Sequence, residues 1–196
     1  MSDQHFTRGS GLLENFLARK RAIKANNLIP KNLEKGKILD IGCGSYPYFL
    51  TRTNFTQKFG VDPSLITLNA KGIILKKHDV THKPLPFANN YFDVVTMLAV
   101  FEHIEDSKID FVLKEILRVL RGGGFLIMTT PSPWSDKILH IISLFSLISA
   151  EEIHDHKHHY SRSTIEKAIE KAGFEKDYIE DGFFELSFNM WFKAQK

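Results

Sequence analysis

KILDIGCG, residues 37–44, is the stretch on which the fold turns. Lys37 to Ile41 is a short apolar run carrying a single acid, Asp40, and it breaks at once into Gly42-Cys43-Gly44. A continuous apolar run of this length reads as a strand buried on both faces, the habit of parallel sheets. Two glycines directly after such a strand permit a tight turn and let a ligand approach the backbone closely. Ligands of open parallel sheets bind beyond the carboxyl ends of the strands, where this turn lies. A glycine pair also makes ordinary turns, so the residues downstream have to decide.

Working outward, short apolar runs alternate with amphipathic segments, the pattern of an α/β sheet wrapped in helices. Further strands are expected at residues 58–61, 73–77, 92–99 (FDVVTMLA) and 125–129. Residues 107–120 place Ile109, Val112, Leu113, Ile116, Leu117 and Leu120 at helical spacing, with a stop at Gly122-Gly123-Gly124. A second helix spans residues 163–172 and stops at Gly173. Residues 174–179 and 187–194 read as two strands too close to hold a crossover helix, hence antiparallel. Two segments stand outside the alternation: a basic amphipathic helix at residues 6–26, and a long insertion at residues 131–160.

At 196 residues the chain fits one domain with a sizeable core. Its 43% apolar and 25% charged residues are ordinary for a globular protein, and a net charge of +3 gives no argument for nucleic acid. The single cysteine, Cys43, excludes an internal disulfide and argues against a cysteine-based metal site. Residues 1–9 carry no signal-peptide pattern, and the longest apolar stretch, residues 138–150, is too short to span a bilayer. A cytoplasmic enzyme is the expectation.

The acids after the strands carry the chemistry. Asp62 ends the second strand 20 residues after Gly42 and suits both hydroxyls of a ribose, although a helix N-cap before Pro63-Ser64 also explains it. Asp79, after the third strand, can accept from an exocyclic amine while the Val80 N–H donates to a ring nitrogen. A dinucleotide site asks for a third glycine where Pro47 stands, and Asp40 would oppose a pyrophosphate. Both favour a ligand that lacks phosphate here and offers a positive group.

With these residues in hand, the chain resembles the class I S-adenosylmethionine-dependent methyltransferases. The likeness is to the small bacterial branch (types 11 and 12) that includes ubiquinone- and biotin-pathway enzymes. It covers about residues 36–196 and rests on ILDIGCG (38–44), GVDPS (60–64), the block from Asp79 to Asp106 and RVLRGGGFLIMTTPSP (118–133). The resemblance implies a Rossmann-like, doubly wound sheet of seven strands, mostly parallel with an antiparallel C-terminal strand. It implies a methyltransferase domain at residues 37–196, an N-terminal helical segment at 1–36 capping the cleft, and S-adenosylmethionine as cofactor, released as S-adenosylhomocysteine. The implied cofactor-binding set is Asp40, Gly42, Cys43, Gly44, Asp62, Pro63, Asp79, Val80, Leu98 and Ala99. Asp40 and the glycine turn take the methionine part, Asp62 the ribose, Asp79 and Val80 the adenine, and Leu98 and Ala99 border the sulfonium. Where the family commonly has a further glycine, this chain has Tyr46, which would partly cover the cleft.

Methyl transfer from a sulfonium needs orientation and water exclusion more than proton chemistry. A base is needed only for an acceptor such as a hydroxyl. His103, just past the fourth strand, is the candidate, with a loop-bonding structural role as the alternative. The histidine-rich run at residues 154–159 reads as a polar loop rather than a metal site, and one of its histidines or Tyr160 is expected to touch the acceptor. Residues 131–160 are an acceptor lid, an interfacial helix or a helix packed on the sheet. The run Arg19-Lys20-Arg21-Lys24 reads as a solvated helix face. The acceptor is a small molecule, lipid or saccharide. The competing readings are a nicotinamide oxidoreductase and a non-catalytic cofactor-binding sensor or scaffold.

Overall fold

The computed structural model describes residues 12–66, 69–133 and 160–196. In chain order the strands are β1 (Lys37–Ile41), β2 (Gln57–Asp62), β3 (Asn69–Ala70), β4 (Ile73–Lys77), β5 (Phe92–Leu98), β6 (Leu120–Pro131), β7 (Ile179–Phe184) and β8 (Asn189–Gln195). They lie in one sheet ordered β3-β4-β2-β1-β5-β6-β8-β7. The seven expected strands are present, with the two-residue β3 added antiparallel at the outer edge. Strands β1, β2, β4, β5 and β6 are parallel, and β8 inserts antiparallel between β6 and β7.

Among the described residues three helices cover the two faces: α1 (Leu12–Leu28), α2 (Asp106–Val119) and α3 (Arg162–Ala172). Ile38, Val94 and Ile127 pack with Ala22 and Ala25 of α1 and with Ile29 just after it. Leu39, Val95, Met97, Leu126 and Met128 share the opposite core with α2 and α3. Burial on both faces is the reason the central strands read as unbroken apolar runs.

Two boundaries moved for physical reasons. α2 ends at Val119, because the fully buried Leu120 already pairs with Phe92 in the sheet. Phe125 pairs with Val94, so residues 121–124 loop out of the ladder inside β6 instead of capping the helix. The Leu117 carbonyl is taken by Lys196 Nζ at 2.7 Å. β7 starts at Ile179 rather than residue 174. Phe174 is buried against α3, its N–H donating to the Ile169 carbonyl at 3.4 Å, and Lys176–Tyr178 form a 3-10 turn before the strand begins. Finally, residues 45–56 hold only turns and the 3-10 turn Leu50–Arg52. α1 supplies the cover on this face, over Phe49, Leu50 and Phe55.

Of the helix expected at residues 6–26, the part at 6–11 lies outside the described residues, as does most of the insertion (134–159) with its histidine-rich run. The basic run of α1 is only partly solvated. Arg19 and Lys20 are exposed, whereas Arg21 and Lys24 are half-buried, with Lys24 Nζ 4.3 Å from the centroid of the Trp191 ring. Among the described residues no helix is long and apolar enough to cross a membrane.

Candidate active site

The turn after β1 is held by the second strand. Gly42 and Cys43 N–H groups both donate to the Val61 carbonyl, at 2.8 and 3.3 Å. Gly42 and Gly44 adopt φ of +74° and +72°, the left-handed region that glycine enters without a steric cost. A Cβ on Gly42 would stand 2.2 Å from Val100 Cγ2. A Cβ on Gly44 would meet nothing nearer than the Tyr46 carbonyl oxygen at 3.8 Å, so that side of the turn is open for a ligand.

Two buried carboxylates stand behind the turn. Asp62 accepts from Gly44 N–H at 3.0 Å through one oxygen and from Ser64 N–H at 2.7 Å and the Ser64 hydroxyl through the other. Asp40, 4% exposed, accepts from the Thr96 hydroxyl at 2.6 Å. Burial pushes the Asp40 carboxyl up to about 7, against the lowering effect of Thr96 and with a further rise from the charge of Asp62. A desolvated acid of this kind calls for a cation. The same burial, with the charges of Asp40 and Asp62, pushes the Cys43 thiol far up, so it stays protonated and packs as a small apolar group.

Asp79 sits in a tight turn, accepting from Thr81 N–H at 2.9 Å, the Thr81 hydroxyl at 2.6 Å and His82 Nδ1 at 2.9 Å. Burial works against ionisation there, but the Thr81 and His82 bonds hold the carboxyl below its ordinary range. Val80 is buried beside it and Pro63 is exposed after Asp62. Past β5, Ala99 takes φ +55° and its N–H donates to the Thr129 carbonyl at 2.8 Å. Asp40, Asp62, the glycine turn, Leu98 and Ala99 thus gather at one edge of the sheet, and a cationic nucleoside without phosphate fits their donor set.

The family profile described as "Methyltransferase domain" matches residues 13–179. The chain belongs to the S-adenosylmethionine-dependent methyltransferases. An uncharacterized protein of Methanocaldococcus jannaschii is 31% identical over 179 residues, covering 88% of this methyltransferase and 71% of that protein. The ubiquinone biosynthesis O-methyltransferase of Rhizobium etli is 26% identical, over 83% of this chain and 69% of its own. An S-adenosylmethionine-dependent methyltransferase of Thermotoga maritima superposes with a TM-score of 0.68 at 19% identity, over 92% of each chain. The methyltransferase therefore uses S-adenosylmethionine as its methyl donor.

The remaining candidates lie elsewhere on the rim. His103 is exposed and lines a recess of about 180 Å³ with Thr81, His82, Glu105 and Lys108, on the Asp79 side of the methyltransferase. Tyr160 packs edge-on against Phe101 and donates its hydroxyl to Asp106 at the start of α2. Burial first, then Asp106, pushes that phenol up, which keeps it protonated. Sequence reasoning passed over Thr96, Glu102, Thr129 and Asn189, all buried. Thr96 and Thr129 were visible as polar residues inside otherwise apolar strands.

Proposed function

We propose that the methyltransferase acts on a small-molecule acceptor and holds its cofactor by the turn at residues 42–44 between Asp40 and Asp62. The observation that carries this reading is the pair of buried carboxylates at the glycine turn, Asp62 accepting from Gly44 N–H and Asp40 from the Thr96 hydroxyl. In it Asp40 faces the ammonium of the methionine part, Asp62 takes the ribose hydroxyls, Asp79 and the Val80 N–H take adenine, and Leu98 and Ala99 border the sulfonium. Cys43 and Pro63 shape the turns beside Asp40 and Asp62. The curated relative named as an O-methyltransferase supports a small acceptor.

Bound S-adenosylmethionine supplies an electrophilic methyl whose leaving group departs as a neutral thioether, so no residue has to act as a general acid. The chain's work is alignment and exclusion of water, worth up to roughly 7–11 kcal/mol when geometry is held. His103 is the base in this reading, for an acceptor that loses a proton. Tyr160, with its hydroxyl committed to Asp106, positions the chain instead.

Calorimetric titration with S-adenosylhomocysteine tests this assignment. Asp62→Ala should weaken binding by about 1–3 kcal/mol, the cost of stranding buried hydroxyl partners. His103→Gln should bind as the wild type does while losing turnover. Unchanged affinity in Asp62→Ala would remove Asp62 from the site.

A further inference from the structure

On the α1 face the pairing register lays a band of side chains two rows deep along the ligand edge. Asp40 stands opposite Thr96, Leu98 opposite Thr129, and Thr129 opposite Trp191. Asn189, opposite Pro131, lies diagonal to Thr129 on the same face. Asp40 and Asp62 lie in one half of this band, and Leu98, one row on from Thr96, marks its middle. The other half is polar, buried and unsatisfied. Thr129 is 0% and Asn189 3% exposed, yet Thr129 Oγ1 and Asn189 Oδ1 have no hydrogen-bond partner among the described residues.

The amide orientation of Asn189 is fixed, because its Nδ2 donates to Glu185 Oε2 at 2.7 Å and the flipped amide would set two oxygens against each other. The second Glu185 oxygen is also buried and unmet. Burial pushes the Glu185 carboxyl up, against the lowering effect of Arg21, Lys20 and the Asn189 bond. Glu185, Leu186 and Ser187 form a run at φ of 54°, 55° and 70°, a conformation L-residues resist. Ser132 secures it, its hydroxyl donating to the Ser187 carbonyl at 2.6 Å and its N–H to the Phe188 carbonyl at 2.8 Å. Strain kept in this way clusters at ligand sites.

We propose that Thr129 and Asn189 form the acceptor subsite and bind a neutral hydroxyl group of a phenol or alcohol. The proposal rests on the Asp40–Leu98 half of the band being the cofactor site. The Asn189 amide oxygen only accepts, so the ligand must donate to it, and a carboxylate has no proton to offer. Lys24, Arg21 and Lys20 on the facing helix, against the one carboxylate of Glu185, repel an ammonium. A neutral O–H meets both conditions. Its place beside Thr129 is one strand spacing, about 4.8 Å, from Leu98, and the Ala99–Thr129 backbone bond ties the two halves together.

The probe is catechol, compared with benzoate and benzylamine at millimolar concentration, on the full chain saturated with S-adenosylhomocysteine. The readout is the Trp191 indole N–H resonance, assigned with Trp191→Phe. Catechol should shift it, and Thr129→Val and Asn189→Ala should each weaken that effect about tenfold while cofactor-product affinity stays within about twofold. Thr129→Val should also raise Tm by roughly 2–4 °C, since an isosteric methyl removes an unmet buried hydroxyl. A catechol response unchanged in both variants overturns the proposal. So does a response to benzoate or benzylamine stronger than to catechol, or a lowered Tm in Thr129→Val, which would mark the hydroxyl as structural. Normal binding of S-adenosylhomocysteine with no catechol shift refutes this subsite alone, whereas loss of binding in the wild type refutes the cofactor assignment beneath it.

Discussion

Asp40→Asn raises the stability of the free chain and, in the same variant, weakens binding of S-adenosylhomocysteine. The wild-type carboxyl is held up to about 7, by burial first. Between about pH 4 and pH 7 the folded chain keeps a proton that the unfolded chain has released. Its contribution to stability therefore falls as pH rises across that interval and is fully lost above pH 7. Asparagine has the same shape, accepts the Thr96 hydroxyl in the same way and carries no charge to desolvate. At pH 8 the variant should be more stable by about 1–3 kcal/mol, a Tm gain of roughly 2–4 °C for each kcal/mol in a chain of this length. At pH 5 the gain should shrink. Binding moves the other way, because the ligand's ammonium loses its counter-charge, and affinity should fall by about 2–5 kcal/mol. Thermal melts at the two pH values and a titration read both halves. A variant that melts at or below the wild type and binds equally well would show that Asp40 is a packing residue.

Gly42→Ala has the larger effect on stability alone. An L-residue at φ +74° costs roughly 1–2 kcal/mol, and the added methyl would lie 2.2 Å from Val100 Cγ2. Overpacking of this kind adds about 1–3 kcal/mol, so a total loss near 3–4 kcal/mol is expected. Val100→Ala removes the colliding atom, and the double variant should recover more than about 1 kcal/mol relative to additivity. Gly44→Ala should lose only the backbone part, because its Cβ meets open space, and should instead show its damage as weaker ligand binding. Denaturant unfolding of the four variants decides this. Strict additivity of Gly42→Ala and Val100→Ala would mean that the turn relaxes away from Val100.

The central sheet was legible because parallel strands buried on both faces leave unbroken apolar runs, and because glycine turns and strand-terminal acids mark the ligand edge. Asp40, Asp62 and the turn between them were legible for the same reason. What escaped reading depended on contacts distant in sequence. The end of α2 is set by Leu120 joining β6, not by the glycine run that follows. The start of β7 is set by Phe174 entering the core, which no local pattern announces. The basic face of α1 turned partly inward because Trp191, about 170 residues away, offers Lys24 a ring to lie on. Thr129 and Asn189 became a site only when the antiparallel register of β6 and β8 put them on one face beside Leu98.

Titration of S-adenosylhomocysteine into the wild-type chain at pH 6 and pH 8, in buffers of differing ionisation enthalpy, tests the cofactor site most directly. The account predicts binding at both values, tighter at pH 8, with release of close to one proton at pH 6 and almost none at pH 8 as Asp40 ionises against the ammonium. Absence of binding, or binding of equal strength at both values with no proton released, would contradict it.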